Sequence, residues 1–100
     1  MLKTFLFGNI MSVNRIQAAQ ATVDDARIEI YGEFQDSALA YRGFRYRIEN
    51  GSLYVKVYSV VVSPLYKYGA VKIDIEGDFA NITNIFLEDN DNIKLIWGRN

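Results

Sequence analysis

Asn50-Gly51 constrains this chain more than any other pair of residues. It separates two alternating runs, Phe44 to Glu49 and Ser52 to Val57. A two-residue type I′ turn needs positive φ at both central positions, and Asn-Gly reaches them at the least steric cost. Such a turn fixes the register: Glu49 faces Ser52, Ile48 faces Leu53, Tyr46 faces Val55 and Phe44 faces Val57. The last three pairs are apolar on both strands, whereas Arg45, Arg47, Tyr54 and Lys56 point to the other side. A slip of one residue would turn the apolar set to solvent, so turn and pattern select the same register. The hairpin is read as part of a one-sided antiparallel sheet with Phe44, Tyr46 and Ile48 facing inward.

Short alternating runs bounded by turn residues recur along the chain. They place seven strands at about 10–20, 26–34, 43–49, 53–62, 70–76, 82–88 and 93–98. The first is ambiguous, because Ile10, Val13, Ile16 and Ala19 also fall at helical spacing. A strand is favoured there because everything after it is β. Gly32 inside the second run predicts a bulge, and Ser63-Pro64 ends the fourth, since proline cannot donate to a ladder. Gln35 to Arg42 reads as a connection, and Ile93, Leu95 and Trp97 as the inward face of the last strand. Strands at this spacing predict an all-β fold: an antiparallel β-sandwich of immunoglobulin-like type in one domain over residues 1–100, with a small barrel as the alternative.

Composition narrows the chemistry. The chain has neither cysteine nor histidine. Disulfides, thiolate metal sites and the usual general base are therefore absent, and the domain is expected not to be an enzyme. Asp74, Glu76 and Asp78 offer paired carboxylates of the kind glycoside hydrolysis uses, and Asp74 and Glu76 share a strand face. Their alternation with Val71, Ile73 and Ile75 already accounts for them as solvent-facing residues. The net charge of −1 is unevenly spread: Tyr41 to Lys72 holds six bases and one acid, while the remainder holds five bases and eleven acids. A bipolar domain of this kind can steer a charged partner, although charge runs also simply coat solvated strands. No apolar run reaches the roughly 20 residues of a membrane-spanning helix. Lys3, a short apolar stretch and Ala19-Gln20-Ala21 have the outline of a signal peptide, but Gly8, Asn9, Ser12, Asn14 and Arg15 interrupt it. A strand belonging to the fold is the favoured reading of that region.

The segments YRGFRYRIENGSLYVKVYSV, VKIDIEGDF and IFLEDNDNIKLIW share a tyrosine-rich hairpin, a Gly-Asp turn and a terminal Leu-Ile-Trp. This pattern resembles the small immunoglobulin-like β-sandwich domains of secreted or lipid-anchored proteins of Gram-positive bacteria, over about three quarters of the chain. The resemblance implies an extracytoplasmic or cell-surface binding or accessory role. A cytoplasmic location is the alternative.

The residues that would carry binding are Arg45, Arg47, Tyr54, Lys56 and Tyr58 on the hairpin's outer face, with Tyr66, Lys67 and Tyr68 in the following loop. Rings supply stacking surface, and cations supply contacts to carboxylate or phosphate. Tyrosine and arginine also serve as plain strand-surface residues. A protein or cell-envelope polymer is the expected partner, with an oligonucleotide-binding barrel or a self-associating structural domain as alternatives. No cofactor or metal is expected. Glu88, Asp89 and Asp91 have hard-cation chemistry but lack the glycine and distal glutamate of an EF-hand loop. Asn50 and Asn81 open glycosylation sequons, which matter only in a glycosylating secretory pathway. Trp97 is read as a core residue from its phase with Ile93 and Leu95.

Overall fold

A computed structural model describes residues 9–35, 39–61 and 69–99. The chain is all-β: eight strands form two sheets packed around one hydrophobic cluster. The strands are β1 (Asn9–Ile10), β2 (Ile16–Val23), β3 (Arg27–Phe34), β4 (Leu39–Glu49), β5 (Ser52–Val61), β6 (Ala70–Glu76), β7 (Asn84–Glu88) and β8 (Ile93–Gly98). β5 is the centre of the larger sheet. β4 pairs along one side of it, β1 and β7 share the other side, and β8 pairs with β7. The smaller sheet runs β2-β3-β6. Every pair is antiparallel except β5–β7, which is parallel because the chain leaves the larger sheet through β6 and returns to it.

The hairpin forms as the sequence dictates. Asn50 has φ 51° and Gly51 φ 80°, and all four expected pairs, Glu49–Ser52 to Phe44–Val57, are present. Its inner face packs unequally. Leu53, Val55 and Val57 are buried, but Tyr46 and Ile48 are each 47% exposed. β4 is an edge strand, with no strand paired on its outer side among the described residues, and its tip is less covered than the central β5.

Other expectations are corrected in detail. The stretch expected as one strand over 10–20 splits into β1, a 3-10 turn at Val13–Arg15, and β2. Apolar residues at both periods are buried here, Val13 in the turn and Ile16 at the start of β2. Ala19, Gln20 and Ala21 lie inside β2. The bulge expected at Gly32 belongs to its neighbour. β3 pairs with β6 without interruption, while β2 carries an extra residue between Gln17 and Gln20, with Ala18 at φ 53°. Gly32 is required for a different reason: a Cβ there would lie 2.6 Å from Ile16 Cγ2. The expected connection before the hairpin is shorter, since β4 begins at Leu39 and bulges at Arg42 to keep its phase. The strand expected over 82–88 begins at Asn84, and the buried Ile82 precedes it.

The last strand shows why alternation alone misleads. Ile85 faces Trp97 but Phe86 faces Leu95, so β8 holds one extra residue, Ile96. Trp97 therefore packs on the core as expected. Ile93 and Leu95 fall on the other side of the bulge and are 59% and 54% exposed, contrary to the inward face expected for them.

Candidate functional site

Cross-strand pairing decides what the larger sheet shows to solvent. On β4 and β5, Arg47 faces Tyr54 and Arg45 faces Lys56, while Tyr58 faces Gly43. On the far side of β5, Phe86 lies beside Tyr54, and Leu95 of β8 lies beside Phe86. Directly opposed residues share a face, so Arg47, Tyr54, Phe86 and Leu95 form one row across four strands. The Arg47 guanidinium carbon sits 4.2 Å from the Tyr54 ring centroid. The Tyr54 and Phe86 rings stack at 5.1 Å with planes 12° apart. Because β5 lies between β4 and β7, Arg47 and Phe86 take the two faces of Tyr54. The row stands on edge, like a rib on the sheet.

Glu88 ties this rib down. Its carboxylate is buried and accepts a hydrogen bond from Arg47 Nη2 at 3.2 Å. Arg47 also reaches Glu49 at 2.5 Å. The Glu88 hydrogen bond, then that to Glu49, holds the Arg47 guanidinium above its usual pKa range. The next row sets Arg45 directly against Lys56. Like charges opposed on a sheet are destabilising, so fold stability alone does not favour this pair. Among the described residues Lys56 has no ion pair.

Arg45, Arg47, Tyr54, Lys56 and Tyr58, all expected from the sequence, line one shallow hollow of about 210 Å³ with Tyr46 and Glu88. A second hollow of about 250 Å³, lined by Arg42, Gly43, Phe44, Arg45 and Tyr58, adjoins it through Arg45 and Tyr58. Each is smaller than the roughly 300–1,000 Å³ of a small-molecule site. Tyr66, Lys67 and Tyr68 lie outside the described residues. Sequence reasoning missed Phe86, Glu88 and Leu95. Burial of Ile85 and Leu87 was legible and leaves Phe86 and Glu88 on the opposite face. Nothing local, however, signals that β7 pairs with β5.

The other candidates have structural roles. Asp89 is the hub of its loop: Oδ1 accepts the amides of Asp91 and Asn92, each at 2.7 Å, and Oδ2 accepts that of Val13 at 2.9 Å. These bonds, Val13 foremost, pull its carboxyl below the ordinary value of 3.8. Its lone pairs are taken by backbone, and no cluster of metal-ligating side chains occurs among the described residues. Asp74, on the outer face of the smaller sheet, is gripped by both Nε and Nη2 of Arg27. Asn50 keeps its turn, and Thr83 of the second sequon bonds Gly51 O through its amide at 2.7 Å and its hydroxyl at 3.2 Å.

Fold and site together define a small two-sheet β-sandwich that displays a cationic, aromatic-ribbed face. No helix among the described residues is long and apolar enough to cross a membrane. Comparison with protein-family models, with curated proteins and with solved structures returned no match.

Proposed function

We propose that this domain is a non-enzymatic binding module that takes an anionic partner, a protein segment or a cell-envelope polymer, on the outer face of its larger sheet. The observation that carries the reading is the Arg47–Tyr54–Phe86 rib, with Arg45 and Lys56 in the next row of the same face. Cations gathered on one face favour a negatively charged ligand. The hollows are small and adjacent, sharing Arg45 and Tyr58, which suits a chain laid across them. Tyr54 itself, between Arg47 and Phe86, offers no open ring face for a stacked base. The resemblance to secreted immunoglobulin-like domains supports an extracytoplasmic setting for this module.

The test is calorimetric titration with poly-L-glutamate, heparin and oligodeoxythymidine at two salt concentrations, using wild type and the Arg45→Glu/Lys56→Glu variant. Poly-L-glutamate or heparin is expected to bind wild type and to lose about tenfold or more with the variant. Equal binding to both proteins refutes the reading. Preference for oligodeoxythymidine, with a steep salt slope, replaces it with the nucleic-acid alternative.

A further inference from the structure

The outer edge of β4 combines three features. The first is unpaired backbone. The turn makes Glu49 O accept from Ser52 N–H, so Glu49–Ser52 is a hydrogen-bonded pair. Antiparallel ladders alternate, so Arg47–Tyr54 and Arg45–Lys56 are bonded pairs, and Ile48, Tyr46 and Phe44 direct their N–H and C=O groups away from β5. An independent bond fixes this phase: Val57 O, opposite Phe44, points to the far side of β5 and accepts from Met11 N–H at 2.6 Å. Among the described residues no strand pairs with β4 on its other side.

The second feature is apolar surface on those same residues. Tyr46 and Ile48 are each 47% exposed, and Tyr46 stacks on the partly buried Phe44 at 6.3 Å. The third is charge. On the opposite side of the strand stand Arg45 and Arg47, the latter held by Glu49 and Glu88, and Arg42 lies in the bulge. Long edges of this kind are usually blunted by proline, lysine, bulges or inward-pointing charge; β4 has neither proline nor lysine, and its bulge at Arg42 lies before Phe44 to Ile48.

We propose that Phe44 to Ile48 accepts an extended peptide of a partner protein as an added antiparallel strand, with apolar and acidic side chains in alternation. Side chains opposite Phe44, Tyr46 and Ile48 share their face and cover them. The intervening side chains fall beside Arg45 and Arg47, where carboxylates are favoured. Main-chain bonds to three edge residues supply affinity, and the apolar–acidic alternation supplies selectivity. A second copy of β4 is disfavoured in the register centred on Tyr46, which would set Arg45 against Arg47. The inference rests on the anion-binding reading of the sheet face and narrows its partner to a protein strand.

The probe is a capped heptapeptide of alternating valine and glutamate, followed by heteronuclear NMR on the labelled domain. It is expected to shift the amides of Phe44, Tyr46 and Ile48 and to slow their hydrogen exchange. N-methylation of its valines, whose amides face β4, should weaken binding about tenfold or more, and N-methylation of its glutamates should not. Tyr46→Pro removes an edge donor without touching the β4–β5 ladder and should act like valine methylation. If both methylated peptides bind like the parent while Arg45→Glu still weakens binding, the strand is refuted and the face survives. If the parent peptide shifts neither edge nor face, the strand and the face as a protein site both fall. A dimer by sedimentation that Tyr46→Pro dissolves, with no peptide bound, assigns the edge to self-association and overturns the proposal.

Discussion

Replacing Gly32 with alanine tests how the smaller sheet is built. The new Cβ would sit 2.6 Å from Ile16 Cγ2, against an ordinary contact of 3.4 Å or more, so about 0.8 Å must be found. Ile16 is 2% exposed, and its methyl sits on a branched carbon with little rotamer freedom. Overpacking of this kind costs about 1–3 kcal/mol. Alanine also stiffens the unfolded chain, which returns roughly 0.4–1 kcal/mol. The net loss is about 1–2 kcal/mol, or roughly 5–15 °C in Tm for a domain of this length. Urea unfolding of Gly32→Ala, Ile16→Ala and the double variant isolates the cause. Ile16→Ala alone should cost about 2–5 kcal/mol through its cavity. The double variant should fall short of the sum by roughly the overpacking cost, because the two changes relieve each other. Strict additivity, or a Gly32→Ala protein as stable as wild type, would show that Ile16 does not press on this glycine.

Three further outcomes follow from the same reasoning. Arg47→Ala leaves the buried Glu88 carboxylate without its guanidinium and strips one face of Tyr54. It should lower stability in chemical unfolding, and Arg47→Lys should recover only part of the loss. Asp89→Ala removes the carboxylate that accepts from three backbone amides and should cost about 1–3 kcal/mol near neutral pH. The folded carboxyl titrates below its ordinary value of 3.8, so its contribution is complete above that value and disappears as pH falls through the folded value. The stability gap between wild type and Asp89→Ala should therefore close below about pH 4, and a gap constant with pH contradicts the hub role. Gly51→Ala forces φ 80° on a residue with a side chain and sets its Cβ 3.1 Å from Asn81 O, so it should cost about 1–2 kcal/mol by thermal unfolding.

The parts of the fold legible in the sequence were those set by local chemistry. Asn50-Gly51 fixed a turn, the turn fixed a register, and the register placed Arg45, Arg47, Tyr54, Lys56 and Tyr58 on one face. The clean alternation of Val71, Ile73 and Ile75 likewise marked β6 to the residue. Two failures share a cause, which is that a bulge resets a period of two without leaving a composition signal. Ile96 reversed the reading of Ile93 and Leu95, and the irregularity at Ala18 lay opposite the glycine that was taken for it. Exposure of Tyr46 and Ile48 goes with the place of β4 at the edge of its sheet, which no hairpin encodes. Phe86 and Glu88 joined the site through a parallel pairing across more than thirty residues of sequence separation.

The central claim is that the ribbed face of the larger sheet is where this domain meets its partner. A heteronuclear NMR titration of the labelled protein with poly-L-glutamate and heparin in turn tests it most directly. The account predicts shifts with at least one polymer, clustered on Arg45, Arg47, Tyr54, Lys56, Tyr58 and Phe86. No shifts with either, or shifts gathered instead around Arg27 and Lys72 on the smaller sheet, would contradict it.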